Sequence, residues 1–519
     1  MYKIMQDCEE KLKSVEQWGR FEVELSGTRK GNPFVDVYVK GIFVFQNRKV
    51  TVRGFYDGEG VYKIRFMPDK IGTWSFYTSS NCEELDNKQG TFECINPSKD
   101  NHGIVHVSEV THFVYADGKP YYPFGTTAYV WNYQTEELQK ETLKTLKASP
   151  FNKIRMCVFP KYYDYNTKEP EMYPFEGRPK TVSSGKFDFS EWGVKRDDFD
   201  FKRFNPKFFT KLEQQIDSLN KLGIQADLIL FHPYDRWGFA AMGEENDIRY
   251  LRYIVARLAS FQNVWWSMAN EYDLLELTGQ KKRDAWDNLF KCVVEEDPYN
   301  HLLSVHNWHN PPIHSVDTSH WYNHHKSWIS HASIQHDNLF FVPEWLETYH
   351  KPVVIDECRY EGNLNLGWGN LTAEKMVQKF WEGVCHGAYV THGETYLNDD
   401  RVIWWSHGGK LVGESPKRIA FLKSILEDGE PKRLAPLGKE SSHWEVSAGI
   451  MGDSYALIYF GDSQPKFKVL EILPEGVLYK ADIIDTWNMT ITKIEEIIDN
   501  KSVINLPGKP YMALRLTKI

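Results

Sequence analysis

Asn263-Val264-Trp265-Trp266-Ser267-Met268-Ala269-Asn270-Glu271 is a short, largely apolar run that ends on an amide and a carboxylate. A run of this length without a polar face reads as a strand buried on both sides. Similar runs recur around it, upstream at residues 121–127, 153–159 and 224–231, and downstream at 302–305, 316–322, 352–355 and 388–391. Helical patterns fall between several of them. Leu138, Leu143 and Leu146 mark one; Phe208, Leu212, Ile216 and Leu219 share one face of a second, ended by Gly223; Ile248, Leu251, Val255 and Leu258 mark a third. Eight buried strands alternating with helices predict an α/β fold, a (β/α)8 TIM barrel over residues 103–431. The alternative, a doubly wound open sheet, would carry a glycine-rich phosphate turn after an early strand, and neither GxGxxG nor GxxxxGK[ST] occurs.

The flanks read differently. Within residues 1–102, alternating segments at 21–25, 35–39, 49–53, 61–66 and 73–77 are punctuated by Asn32-Pro33 and Asp57-Gly58, which predicts an N-terminal Ig-like β-sandwich. Residues 432–519 return to strands at 455–460 and 512–516, a small C-terminal antiparallel β-domain.

Composition narrows the function. The 519 residues carry Lys+Arg 62 against Asp+Glu 71, a net charge of -9, which argues against a nucleic-acid partner because phosphate binders concentrate basic residues. No stretch approaches the roughly 18 apolar residues of a membrane span. The start of the chain carries Asp7, Glu9, Glu10, Lys11 and Lys13 in place of an apolar export signal. The 7 cysteines are scattered and lack a CxxC pair, which reads as reduced thiols in a cytoplasmic protein. Self-association is left open. Aromatic residues reach 15%, and such rings either fill cores or stack on sugars.

Reactive groups of a barrel sit where strands end. Strand four ends on Asn270-Glu271 and strand seven on Asp356-Glu357, on opposing sides of the mouth. A lone glutamate after a strand is more often a helix-start charge. Two of them, each behind a buried run, match the carboxylate pair of glycoside hydrolysis, in which one protonates the leaving oxygen and the other attacks carbon or activates water.

Trp266-Ser267-Met268-Ala269-Asn270-Glu271 resembles the strand-four signature of the retaining glycoside hydrolases of clan A, and Pro352-Val353-Val354-Ile355-Asp356-Glu357 resembles their strand-seven nucleophile segment. The whole chain is similar to bacterial, apiosidase-related glycosidases built from a sandwich, a barrel and a C-terminal β-domain. That similarity rests on Asn32-Pro33-Phe34, Gly54-Phe55-Tyr56-Asp57-Gly58, Arg65-Phe66-Met67-Pro68, Gly72-Thr73-Trp74 and Asp485-Thr486-Trp487-Asn488-Met489. The resemblance implies Glu271 as general acid/base, Glu357 as nucleophile and Asn270 as the partner of the hydroxyl beside the reacting carbon. It also implies that His320 or Tyr322, ending strand six, holds the nucleophile, that Arg155 keeps it ionised, and that His232 contacts sugar hydroxyls.

The clan's aromatic platform follows strand eight directly. Here that strand is followed by His392-Gly393-Glu394-Thr395-Tyr396, and Trp404-Trp405 come later. Either segment can supply the platform, through Tyr396, Trp404 or Trp405, and Glu394 is a candidate sugar-binding carboxylate. Trp131, Tyr162, Tyr163, Trp237, Trp308 and Trp345 are further candidates for the sugar pocket, and the insertion 161–205 either walls one side of it or is a packing embellishment.

Histidines cluster between His301 and His336, but no HExxH or other ligand spacing appears, so neither metal nor cofactor is expected. The expected activity is that of a retaining, exo-acting glycosidase on a short oligosaccharide or glycoside. Its rivals are a catalytically silent carbohydrate-binding barrel and a metal-dependent barrel hydrolase working through the His-rich stretch.

Overall fold

The computed structural model describes residues 13–308, 318–319, 321–437, 446–471 and 473–519. Its centre is a sheet of eight parallel strands: β1 Gly125–Thr127, β2 Lys153–Cys157, β3 Gln225–Phe231, β4 Val264–Ala269, β5 Leu303–Ser304, β6 Ala332–Gln335, β7 Val353–Glu357 and β8 Tyr389–His392. They run in the order β5-β4-β3-β2-β1-β8-β7-β6, and a bridge between His306 and Ser333 joins the two outer strands, which closes the TIM barrel. Helices Glu136–Ala148, Pro206–Asn220, Glu244–Leu258, Ala285–Glu296, Val342–Tyr349, Ala373–Cys385 and Ser415–Leu426 cover it.

Strand alternation sorts β2. Ile154 and Met156 belong to the apolar layer beneath the helices, whereas Lys153 and Arg155 meet charged partners. Lys153 Nζ lies 2.7 Å from Asp227 Oδ2 of β3 and 2.7 Å from Asp356 Oδ1 of β7. Ser333 of β6 and Thr391 of β8 donate to the same Asp356, at 2.5 and 3.0 Å. Both oxygens of Asp356 are thus engaged, as a buried carboxylate requires, while Asp227 Oδ1 has no hydrogen-bond partner. Despite burial, which opposes ionisation, the charges of Lys153 and Arg155 hold the Asp356 carboxyl well below the usual carboxylate range.

This polar lining explains the main departure from the sequence reading. Strand six was expected over 316–322, and it lies instead at Ala332–Gln335. Residues 316, 317 and 320 are outside the described residues, and Trp321 and Tyr322 are not in a strand. Ala-Ser-Ile-Gln has no apolar run to find, because its inward Ser333 serves Asp356. Strand one is also shorter than expected. Pro120–Tyr121 instead pairs into a three-stranded meander with Val105–Ser108 and His112–Tyr115, whose Phe113 packs against Trp265 of β4 at 5.3 Å.

The N-terminal sandwich packs a five-stranded sheet on a three-stranded one around Phe21, Phe43, Phe66, Trp74 and Phe92. Residues 35–39, expected as a strand, begin with the helical turn Pro33–Asp36, and the strand runs Val39–Phe45. Proline pre-sets the first helical position, and the Asp36 carboxylate accepts from Asn32 N at 2.6 Å. Ion pairs tie the sandwich to the barrel: Glu213 accepts from Arg65 at 2.9 Å and Arg257 at 2.5 Å, and Arg257 reaches Asp57 at 2.6 Å. At the other end, the six-stranded antiparallel sheet of the C-terminal region stacks Tyr459 on Trp381 of the barrel at 5.5 Å. Among the described residues no helix is long and apolar enough to cross a membrane.

Candidate active site

β4 delivers Asn270 and Glu271 to the mouth. Glu271 sits at φ 51°, ψ 55°, a left-handed conformation uncommon for a residue with a Cβ. Its neighbours hold it there, since Asn270 N donates to Phe231 O at 3.0 Å and Tyr272 N to His306 O at 3.0 Å. Strain of this kind persists where surrounding bonds over-determine it, and it concentrates at functional sites. β7 delivers Glu357 as its last residue.

The two carboxylates have different surroundings. Glu357 Oε1 accepts from Tyr129 Oη, just past β1, and lies 3.8 Å from Arg155 Nη1. The other arm of Arg155 donates to Asn270 Oδ1 at 3.1 Å, and Tyr129 Oη stands 3.3 Å from that oxygen. One guanidinium therefore spans the ends of β4 and β7. Although burial opposes its charge, Asp356, Tyr129, Asp227 and Glu357 raise the Arg155 pKa further above its ordinary value.

Glu271 Oε2 accepts from Tyr234 Oη, just past β3. The Gln335 amide, at the end of β6 and oriented by its partners, donates to Glu271 Oε1 at 3.2 Å and Asn307 O at 3.0 Å. Among the described residues no cation lies within ion-pair distance of Glu271. Burial foremost, and then the charge of Glu357, hold its carboxyl above the usual range, while the Tyr234 bond and Lys161 pull the other way. The Lys161 ammonium lies over four rings, Tyr234 at 4.0 Å, Tyr129 at 4.1 Å, Trp405 at 4.4 Å and Tyr163 at 5.3 Å, a cation–π cage. Burial lowers its pKa. Trp405 continues into Trp368 at 5.1 Å and Tyr360 at 6.0 Å.

Of the expected site residues, the structure thus brings together Glu271, Glu357, Asn270, Arg155, Trp405 and Tyr163, whose ring lies 5.5 Å from Tyr234 and 5.8 Å from Trp405. His232 adjoins them, its ring 6.0 Å from Tyr234. Its Nε2 meets Phe159 O at 3.2 Å, its Nδ1 lacks a partner, and burial pushes its pKa down to about 3. The other expectations need correction. With strand six displaced, Tyr322 bonds Asp287 at 2.7 Å and packs on Phe290 at 5.0 Å, and Tyr129 takes the position expected of it. His320 lies outside the described residues.

Glu394 is buried outside the cluster, its oxygens accepting from Val412 N and Gly413 N. Trp131 is core, with Nε1 against Met156 Sδ at 3.3 Å, and Trp404 is held by Thr126 at 2.9 Å. Trp237 bonds Glu169 at 2.8 Å within the insertion, Trp345 is buried in a helix, and Trp308 is 43% exposed. The four buried rings fill the spaces that long barrel loops leave, and Trp308 does not.

The reading missed Tyr129, Tyr234, Lys161, Gln335, Tyr360 and Trp368. The first two follow strand ends and obey the rule that found the glutamates, whereas Gln335 required the correct strand six. Cavity size would not have helped, since grooves of about 690 and 730 Å³ flank the sandwich seam and neither glutamate lines them.

Comparison with known proteins bears on this geometry. Residues 108–429 match the family profile "Apiosidase-like, catalytic domain", residues 14–81 match DUF5060 and residues 444–517 match DUF5605, both domains of unknown function. The chain is 40% identical to a candidate glycoside hydrolase from Bacteroides vulgatus ATCC 8482, with a TM-score of 0.88 over 98% of this chain and 100% of that one. A family 5 glycoside hydrolase from the same organism is 14% identical, with a TM-score of 0.58 over 80% and 93% of the two chains, and shares the fold. No curated protein matched.

Proposed function

The chain belongs to the apiosidase-like family and is a glycoside hydrolase acting on carbohydrate, and on that premise we propose a retaining double displacement with Glu357 as nucleophile and Glu271 as acid/base. Glu357 attacks the anomeric carbon while protonated Glu271 gives its proton to the departing oxygen. Glu271 then takes a proton from water, and the hydroxide releases the sugar from Glu357. The observation that carries the reading is the unequal setting of the pair. Glu357 has a cation and a hydroxyl donor at hand, as an attacking carboxylate needs. Glu271 is buried and, among the described residues, has no cation in ion-pair contact, and its carboxyl is held above the usual range, as a proton donor needs. Asn270, anchored by Arg155, is assigned to the neighbouring sugar hydroxyl.

The proposal places catalysis in residues 103–431, with 1–102 and 432–519 as flanking domains. Trp405 is the platform, and exo-action on a short oligosaccharide or glycoside is favoured. Supporting this, Trp192 of the insertion stands 4.9 Å from Tyr234 and 6.0 Å from Tyr163, so the insertion walls one end of the site. A reducing, cytoplasmic setting agrees with the unpaired state of the six described cysteines.

Turnover of aryl pyranosides and furanosides by wild type and Glu357→Gln, with proton NMR of the first-formed anomer, tests the reading. Retention in the wild type and loss of turnover in the variant are expected. Inversion would refute double displacement, and turnover within about tenfold of wild type in both Glu271→Ala and Glu357→Gln would refute the residue assignment.

A further inference from the structure

Past the ends of β7 and β8 the chain forms a second, shorter parallel pair, Glu361–Gly362 beside Glu394–Thr395, in which Glu361 and Glu394 are register partners. His392 precedes Glu394 by two positions, so strand alternation puts both on one face with Glu361 opposite. One ligand atom from each of Glu361, His392 and Glu394 lies within 4.8 Å of the others. All are buried, at 0, 0 and 1% exposure.

Two adjacent buried carboxylates require a counter-charge or a shared proton. Among the described residues their donors are all neutral. Glu394 accepts from Val412 N at 2.7 Å and Gly413 N at 2.9 Å. Glu361 accepts from Tyr396 Oη at 3.1 Å, Glu414 N at 2.8 Å, Ser415 N at 3.2 Å and Ser415 Oγ. Each Glu394 oxygen accepts one bond and keeps a second lone pair, whereas each Glu361 oxygen accepts two, so ligation by Glu361 displaces the longer of its bonds, from Tyr396 or from Ser415 N.

A shared proton would leave one group unexplained. His392 Nε2 is buried with no hydrogen-bond partner. Its Nδ1 meets Thr126 Oγ1 at 3.2 Å, and donation of Nδ1–H there leaves the Nε2 lone pair free. Gly413 leaves room beside the carboxylates, since a Cβ there would stand 2.6 Å from both Glu361 Oε1 and Glu394 Oε2.

We propose that Glu361, His392 and Glu394 form a structural site for a divalent transition-metal ion. Two carboxylates with one imidazole suit Zn²⁺ or Mn²⁺, whereas Ca²⁺ and Mg²⁺ prefer oxygen alone. The ion ties the extensions of β7 and β8 to the start of helix Ser415–Leu426, directly behind Tyr360 and Trp368, whose backbones are joined at 2.8 Å. It therefore braces the aromatic side of the mouth and takes no part in the chemistry.

The test dialyses the full chain against EDTA and then against buffered Zn²⁺, for wild type, Glu394→Gln and His392→Gln. Wild type is expected to hold one more zinc per chain than either variant, by elemental analysis, and to gain several degrees in Tm that the variants do not gain. Equal zinc in all three would overturn the proposal, as would a zinc-free Glu394→Gln as stable as zinc-loaded wild type, the signature of a shared proton. If the variants do not fold, X-ray absorption of zinc-loaded wild type decides. A first shell of one imidazole with carboxylate oxygens supports the site, and a shell of several imidazoles, as from the His-rich stretch, overturns it.

Discussion

Glu271 and Glu357 end the same kind of strand on opposite sides of one barrel, yet their surroundings are opposed. Arg155 stands 3.8 Å from Glu357, and Tyr129 donates to it. Glu271 is served by two neutral groups, Tyr234 and Gln335. The difference teaches that two identical side chains acquire separate roles from what the rest of the barrel brings to them. It also offers four ways to test the division.

The largest effect is expected from Glu357→Gln, which removes the attacking group and lowers kcat/KM on the order of 10⁴-fold or more, for good and poor leaving groups alike. Glu271→Gln should cost about 10²- to 10⁴-fold on substrates with a poor leaving group and much less on activated aryl glycosides, because those need little proton assistance. Equal sensitivity to the leaving group in both variants would erase the comparison. Arg155→Lys loses the bond to Asn270, a charge-assisted interaction worth roughly 1.5–3 kcal/mol, or about ten- to a hundredfold in kcat/KM. The loss should be greatest on substrates that carry a hydroxyl beside the anomeric carbon, when compared with their deoxy analogues.

Tyr234→Phe should change the optimum rate least, by about tenfold or less, yet sharpen the comparison most. The Tyr234 bond favours ionised Glu271, so its removal raises the Glu271 pKa further. The protonated acid drives the first step and is lost as pH rises through that pKa. The alkaline limb of kcat/KM should therefore move to higher pH in the variant, and a move to lower pH would assign the limb to another group.

The two halves of the barrel differ in how much of this was legible. Strands β2, β3, β4 and β7 are apolar enough to stand out in the sequence, and the last two carry the glutamates. The β5–β6 side is thin, with Leu303–Ser304 and Ala332–Gln335 meeting through the His306–Ser333 bridge. There the interior is polar, and the apolar-run criterion selected residues 316–322 instead.

The sequence by itself determined the alternation of strands and helices, the β-rich flanks and the carboxylate at the end of each of two strands. Burial on both faces writes a local apolar pattern, and a strand's last residue can be read from where that pattern stops. Only the tertiary structure decided that Tyr129 reaches Glu357 across 228 positions of chain, that Arg155 reaches Asn270 across 115, and that Lys161 lies among four rings near the glutamates. Those contacts exist because the barrel closes, and the electrostatics of the site follow from proximity in space, which no local period records.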